Sequence, residues 1–277
     1  MQGKISPIFG LFQQQFEKAK IHFSSLGKEF KGKKAIELEE KLIFLEIYID
    51  LLSRIHFEED KLKFKLFSPF KDIFKKLKKV KHLKMVLSQV ESLKIQNNMV
   101  FSTYLKSLES DKKKLYAEAY DLIVGTPFHI WEKLYEDAFN FSKGLKPLMI
   151  NTATTQIINE ELEYFNLEQK TNLDSKALKD IYEGLRVIIA LENLRIESGF
   201  NSIFVPDVHQ HMGTLRLALF DWYQNHLFIQ HLTFFLTDKE SIPKKYLDLL
   251  SQLQLKKKSH TQNVVQKCKF LFERILE

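Results

Sequence analysis

With 277 residues, 44% of them hydrophobic, and only 9 glycines and 6 prolines, the chain can bury a substantial core but has few turn-makers, which points to long helices. A single cysteine, Cys268, excludes an intramolecular disulfide and makes a reducing cytoplasm the expected compartment. The net charge of +7 is unevenly placed: residues 61–86 hold ten lysines against one aspartate, a local +9, so the rest of the chain sums to −2 and the basic character belongs to one segment.

The opening "MQGKISPIFGLFQQQF" lacks the unbroken apolar run and small-residue cleavage site of a signal peptide. No stretch approaches 18 apolar residues without charge, so no membrane span is expected. The pattern predicts a modest amphipathic helix over 8–25, then a glycine-punctuated basic loop, "GKEFKGKK". A stronger helix covers 34–56, where Leu38, Leu42, Leu45, Ile49 and Leu52 recur at spacings of three and four. "EED" at 58–60 is a helix-start signal, and the lysine-rich helical stretch that follows is interrupted near Pro69. Further helices are expected over 82–108 and over 111–143, the latter kinked at "GTP", 125–127, because proline breaks the backbone ladder. The second half predicts helices near 148–169, 175–197, 206–236 and 243–276. "TNLDSKAL" supplies capping residues before the second of these, and Pro206 and Pro243 lie where first-turn prolines are tolerated. No segment sustains strand-like alternation, so the fold class expected is all-α.

The two halves share a layout. "SPFKDIFKKLKKVKHLKMVLSQV" (68–90) and "VPDVHQHMGTLRLALFDWYQNHL" (205–227) each open on proline and run through a small break into a long amphipathic helix. The strong helices before them, 34–56 and 175–197, are offset by a similar distance. This predicts two antiparallel four-helix bundles related by a pseudo-twofold, one over 1–145 and the other over 146–277, together forming one domain.

On a helical wheel, Lys71, Lys75, Lys78 and His82 form a narrow stripe with Lys79 at its edge, opposite Ile73, Leu77 and Val80. Like charges four residues apart repel by a few tenths of a kcal/mol, and almost no acid is interleaved, so a polyanion such as a phosphate polymer would relieve the stripe. Lysine is also simply abundant here, 37 against five arginines, and a solvated helix face accounts for the same run; both readings stay open. The shortage of arginine argues against bidentate phosphate recognition.

Catalytic and metal signatures are missing: no histidine pair at i,i+3 or i,i+4, no HExxH, no phosphate-binding glycine loop and no nucleophile elbow. Asp207, His209, His211, Asp221 and His226 read as ordinary helix-start or solvent-facing groups rather than metal ligands, and Glu39/Glu40 and Glu160/Glu161 as polar faces. Lys267 and Lys269 flank Cys268 and are expected to lower its pKa, but a lone flanked thiol is a poor nucleophile. Neither an enzyme, a metal nor a cofactor is expected.

The duplicated layout resembles the CHAD family, the conserved-histidine α-helical domains. Its hallmark is His, Arg and Lys at helical spacing on one helix of each half, with a glycine and then an arginine-aspartate pair opening the next long helix. Here "LKDIYEGLRVIIALENL" (178–194) occupies the second hallmark position, the three sites reading Lys179, Tyr182 and Arg186. The first-half helix keeps Lys41 nearly alone among acids. At the breaks, Lys81 and His82 replace the arginine-aspartate pair, while "MGTLRLAL" preserves Gly213 and Arg216. The resemblance covers the layout from about 8 to 275 and implies two four-helix bundles with a basic cavity that binds inorganic polyphosphate. On it, Lys71, Lys75, Lys78, Lys79, Lys81 and His82 would form the floor for inorganic polyphosphate or a similar polyanion, with Lys179, Arg186 and Arg216 joining from the other half. The runner-up is a degenerate helical scaffold for protein-protein interaction that no longer binds polyphosphate. Nucleic acid shares the charge argument, but no interleaved aromatics for stacking and no recognition-helix unit stand out. A membrane-surface role is weaker again, because the apolar face of 61–86 should be consumed by the core.

Overall fold

Pro7 opens α1 (Pro7–Lys28), where its fixed φ suits the helix and its missing N–H removes a donor that has no intrahelical acceptor. The computed structural model describes residues 6–97, 100–165, 174–237 and 239–276, and these are all-α, with no strand among them. After α1 come α2 (Gly32–Ile55), α3 (Leu62–Phe67), a 3-10 turn (Ser68–Phe70), α4 (Lys71–Asn97) and α5 (Ser102–Gly125). They are followed by α6 (His129–Phe141), α7 (Pro147–Leu162) with a 3-10 turn (Glu163–Phe165), α8 (Ser175–Glu197), α9 (Pro206–Thr237) and α10 (Lys244–Leu276). Pro147 and Pro206 each take the first position of their helix, as Pro7 does. Asp174 caps α8, its Oδ1 accepting from the Ala177 N–H at 2.8 Å.

Two compact units emerge. The first comprises the described residues of Met1–Lys81, Lys112–Glu160 and Val187–Ile203; the second those of His82–Asp111, Glu161–Arg186 and Phe204–Glu277. They interleave along the chain, whereas the sequence reading divided it consecutively at 145/146. The reason is helix length: α4 contributes residues 71–81 to the first unit and 82–97 to the second, and α5 and α8 are shared likewise. A turn signal marks where a helix stops, but nothing in the periodicity of a long helix marks where its packing partners change.

In the first unit, Ile8, Phe9, Phe12, Phe16, Ala19, Phe23 and Leu26 form the buried stripe of α1, which packs on α2. The α2 stripe expected from the sequence, Leu38, Leu42, Leu45, Ile49 and Leu52, is wholly buried. Aromatic rings fill the space between: Phe12 meets Tyr48 at 4.6 Å between centroids, and Trp131 of α6 receives Phe70 edge-on at 4.8 Å and Phe23 at 5.2 Å. The Tyr48 hydroxyl hydrogen bonds Ser142 Oγ at 2.7 Å, so its burial leaves no orphan polar group. Arg54 grips Glu160 through two bonds of 2.6 and 3.0 Å. The end of α8 closes on Gly199, at φ 82, and the Phe200 N–H reaches back to the Arg195 carbonyl at 2.9 Å. Buried Arg195 and Glu192 then hold the loop that follows: Arg195 Nε donates to the Asn201 carbonyl, and Glu192 accepts from the Ile203 N–H.

In the second unit, α9 and α10 form an antiparallel pair around Leu215, Leu219, Trp222, Leu232, Leu253, Val264 and Leu271. Tyr104 of α5 inserts among Phe228 and Phe235, and its hydroxyl bonds His231 Nδ1 at 3.0 Å.

Several boundaries differ from expectation. The lysine-rich helix runs on past 82, from Lys71 through Asn97, rather than as far as 108. A separate helix starts at Ser102 and passes through 110–111 without a break. The "GTP" segment ends α5 at Gly125 rather than kinking a continuous helix: Pro127 cannot supply the N–H that would carry the ladder on, and α6 begins anew at His129. The loop expected between the first two helices shrinks to Glu29–Lys31. Residues 1–5 of the opening stretch, 98–99 of the expected 82–108 helix, 166–169 of the expected 148–169 helix, and 171–173 of the capping stretch lie outside the described residues.

Candidate functional site

The α4 segment folds as the wheel predicts. Pro69 sits in the 3-10 turn, Asp72 occupies the first helical turn where an acid complements the dipole, and Ile73, Leu77 and Val80 are buried. Of the opposite face, Lys71, Lys75 and Lys79 are exposed, whereas Lys76, Lys78, Lys81 and His82 are half-buried.

Lys75 and Lys79, but not Lys71, border a groove of about 460 Å³ lined by Asp72, Lys75, Lys76 and Lys79 of α4 with Glu118 and Leu122 of α5. Lys76 Nζ lies 2.8 Å from Glu118 Oε2. That hydrogen bond, and then the charge of Lys76, hold the Glu118 carboxyl below its ordinary range, with Lys114 and Lys79 adding to the effect. Lys75, Lys76, Lys79 and Lys114 thus outnumber Asp72 and Glu118, and the groove carries a positive excess. Ammonium groups of this kind act as point charges and suit a flexible chain of phosphates better than one planar carboxylate.

The remaining sequence candidates are placed differently. Lys81 turns inward: its Nζ is 2.8 Å from Glu39, a carboxylate that is only 1% exposed. Glu39 is therefore a core group and not the ordinary polar face expected for it. His82 belongs to the second unit, where the Tyr223 hydroxyl bonds its Nε2 at 3.0 Å. In the same unit Lys179 is half-buried, Arg186 pairs with Glu183 one turn earlier on α8, and Arg216 is exposed on α9. A groove of about 310 Å³ there is lined instead by His211, Thr214, Asn263, Gln266, Lys267 and Phe270.

Sequence reasoning missed the α5 side of the groove. Lys114 and Glu118 stand four apart on that helix, an ordinary exposed-face pattern that gives no hint of the lysines opposite. The expectation for Cys268 is reversed. Adjacent residues on a helix point to different faces, so Lys267 and Lys269 do not govern the thiol; it is buried, and burial pushes it up to about 12. Among the described residues, no group of three or more His, Cys, Asp or Glu side chains is placed to hold a metal ion, and no helix is long and apolar enough to cross a membrane.

Comparisons with protein-family models, with curated proteins and with solved structures found no match to this chain.

Proposed function

We propose that the protein is a non-catalytic, cytoplasmic binding module that holds inorganic polyphosphate, or a similar phosphopolymer, against the lysine-rich face of α4. In the same reading it is a degenerate CHAD-like domain, two antiparallel four-helix bundles related by a pseudo-twofold. The observation that carries the binding reading is the groove lined by Lys75, Lys76 and Lys79 with Asp72 and Glu118, where Lys76, Lys114 and Lys79 all act on the Glu118 carboxylate. Each phosphate neutralised there releases condensed counterions, so affinity falls steeply as salt rises. Replacing Lys75, Lys78 and Lys79 together by glutamate abolishes polyphosphate retention in a filter assay while the far-ultraviolet circular dichroism stays that of the parent. Retention that survives this triple change overturns the proposal.

The scaffold reading is favoured by a different observation. Phe57, in the segment between α2 and α3, is 86% exposed and Phe64 of α3 is 62% exposed, although Leu62, Leu66 and Phe67 beside them lie in the core as expected. Polyphosphate binding that is undetectable even at low salt, together with a partner interaction lost on replacing both phenylalanines by serine, selects this second reading.

A further inference from the structure

Residues 56–61, which join α2 to α3 inside the first unit, form a turn that is tightly held. The His56 Nε2–H donates to the Phe141 carbonyl at 2.7 Å, and the His56 ring meets that of Phe141 at 5.2 Å between centroids. Two successive backbone bonds fold the segment: the Glu59 N–H donates to the His56 carbonyl at 3.0 Å, and the Leu62 N–H to the Glu59 carbonyl at 3.3 Å. Lys61 takes φ 58, and among the described residues it is the only non-glycine at positive φ. A lysine side chain gains nothing from that conformation, so the contacts around it impose it, and strain of this kind gathers at surfaces built for use.

The turn presents apolar surface. Phe57 of the turn and Phe64 of α3 are exposed, whereas Leu62, Leu66 and Phe67 of α3 are buried. Lys61, Phe64 and Lys65 recur at spacings of three and four and are all exposed, one stripe along the solvent side of α3. Charge of both signs accompanies the rings, since Glu58, Glu59 and Asp60 are exposed on the turn itself. Within the chain these charges are only loosely matched. Lys61 and Asp60 lie 3.9 Å apart with side chains 73% and 81% exposed, and Glu58 lies 3.7 Å from His56. An anionic lipid surface or a bare polyanion would meet three carboxylates beside the rings. A second copy of the chain meets them with Lys61 and Lys65, so the face is complementary to itself.

We propose that this turn is a self-association face. Two copies meet about a twofold, Phe57 and Phe64 packing across it, with Glu58, Glu59 and Asp60 of each copy opposite Lys61 and Lys65 of the other. The face is small beside the roughly 1,200–2,000 Å² of a standard interface, so the dimer is weak, in the micromolar range. The proposal rests on the scaffold reading in one respect, that it names a partner for the same two phenylalanines; it needs nothing from the α4 groove.

Sedimentation velocity of the full chain, without any polyanion, tests it over about a hundredfold range of concentration spanning the micromolar. The parent passes from monomer to dimer, and Phe57→Ser combined with Phe64→Ser raises the dissociation constant at least tenfold. Charge reversal gives a readout that loss of fold cannot mimic. Glu58→Lys, Glu59→Lys and Asp60→Lys together yield a monomer, as do Lys61→Glu and Lys65→Glu together, and mixing the two variants restores a dimer that dissociates as salt rises. Every altered side chain is exposed, so each variant keeps the far-ultraviolet circular dichroism of the parent. A dimer undiminished in the double serine variant, or charge variants that stay apart on mixing, overturns the proposal. So does a parent that is monomeric throughout. Retention of that monomer by phosphatidylserine vesicles then assigns the rings to a lipid surface, and its absence leaves the scaffold reading to stand or fall on a foreign partner.

Discussion

Glu39 sits in the core beside α4, and Lys81 reaches it at 2.8 Å; neither residue is free to serve a ligand without the other being left behind. Removing one member of a buried ion pair strands the other's charge, at a cost of about 3 kcal/mol or more. Lys81→Met is therefore expected to lower the urea midpoint sharply, whereas Lys81→Met combined with Glu39→Leu restores most of the loss. An unchanged midpoint in the single variant contradicts the pairing. His226 gives a second test at this scale. Its pKa falls to about 4 from an ordinary 6.5 because burial, and then Lys179 and Lys257, disfavour the imidazolium. The folded state thus resists a proton that the unfolded chain accepts. The stability that His226 contributes is complete above pH 6.5 and is lost progressively as pH falls from 6.5 towards 4. In phosphate-free buffer, the melting temperature of the parent should drop more across that window than that of His226→Phe. Equal slopes contradict the assignment. Neither residue's role was legible in the sequence. Glu39 and His226 look like surface groups on amphipathic helices until the neighbouring helix is known, and periodicity assigns a face without naming what that face meets.

At the scale of the element, much more could be read in advance. Pro206 opens its helix, Asp174 caps the one it precedes, and the buried stripe of α2 is the one its leucine spacing predicts, whereas Pro243 falls just before α10, which begins at Lys244. The division of α4 into a packed and a charged face was equally visible, because 3.6-residue periodicity separates Ile73, Leu77 and Val80 from the lysines. What the wheel could not supply was the counter-charge. The stripe seemed uncompensated because its acids, Glu118 and Glu39, come from α5 and α2, 42 residues away in each case. The two faces should respond independently to substitution. Leu77→Ala, opening a cavity at a fully packed position, costs about 2–4 kcal/mol in chemical denaturation. Charge reversal at Lys75, Lys78 and Lys79 changes the midpoint far less while removing polyanion affinity. A triple variant that unfolds as readily as Leu77→Ala shows that the lysines serve the fold and not a ligand.

At the scale of the whole molecule, the all-helical class followed from scarce glycine and proline and from the lack of alternating segments. The partition into units did not, because α4, α5 and α8 each lend residues to both. The proposed function is also tested at this scale, since a concentrated positive field would select a ligand only by discriminating among polyanions. Lysine without arginine offers charge but little geometric selection, and a groove lacking exposed stacking rings among its lining residues gives bases nothing to grip. Inorganic polyphosphate is accordingly expected to compete well against RNA of equal charge. The most direct measurement is a calorimetric titration of the full chain with polyphosphate and with that RNA, each at about 50 and about 200 mM salt, a change that roughly halves the screening length. Tighter binding of polyphosphate at low salt, weakened at least tenfold at the higher salt and absent from the Lys75, Lys78 and Lys79 triple variant, is the predicted result. Binding that is salt-insensitive, equal for both polymers, or retained by the triple variant would contradict it.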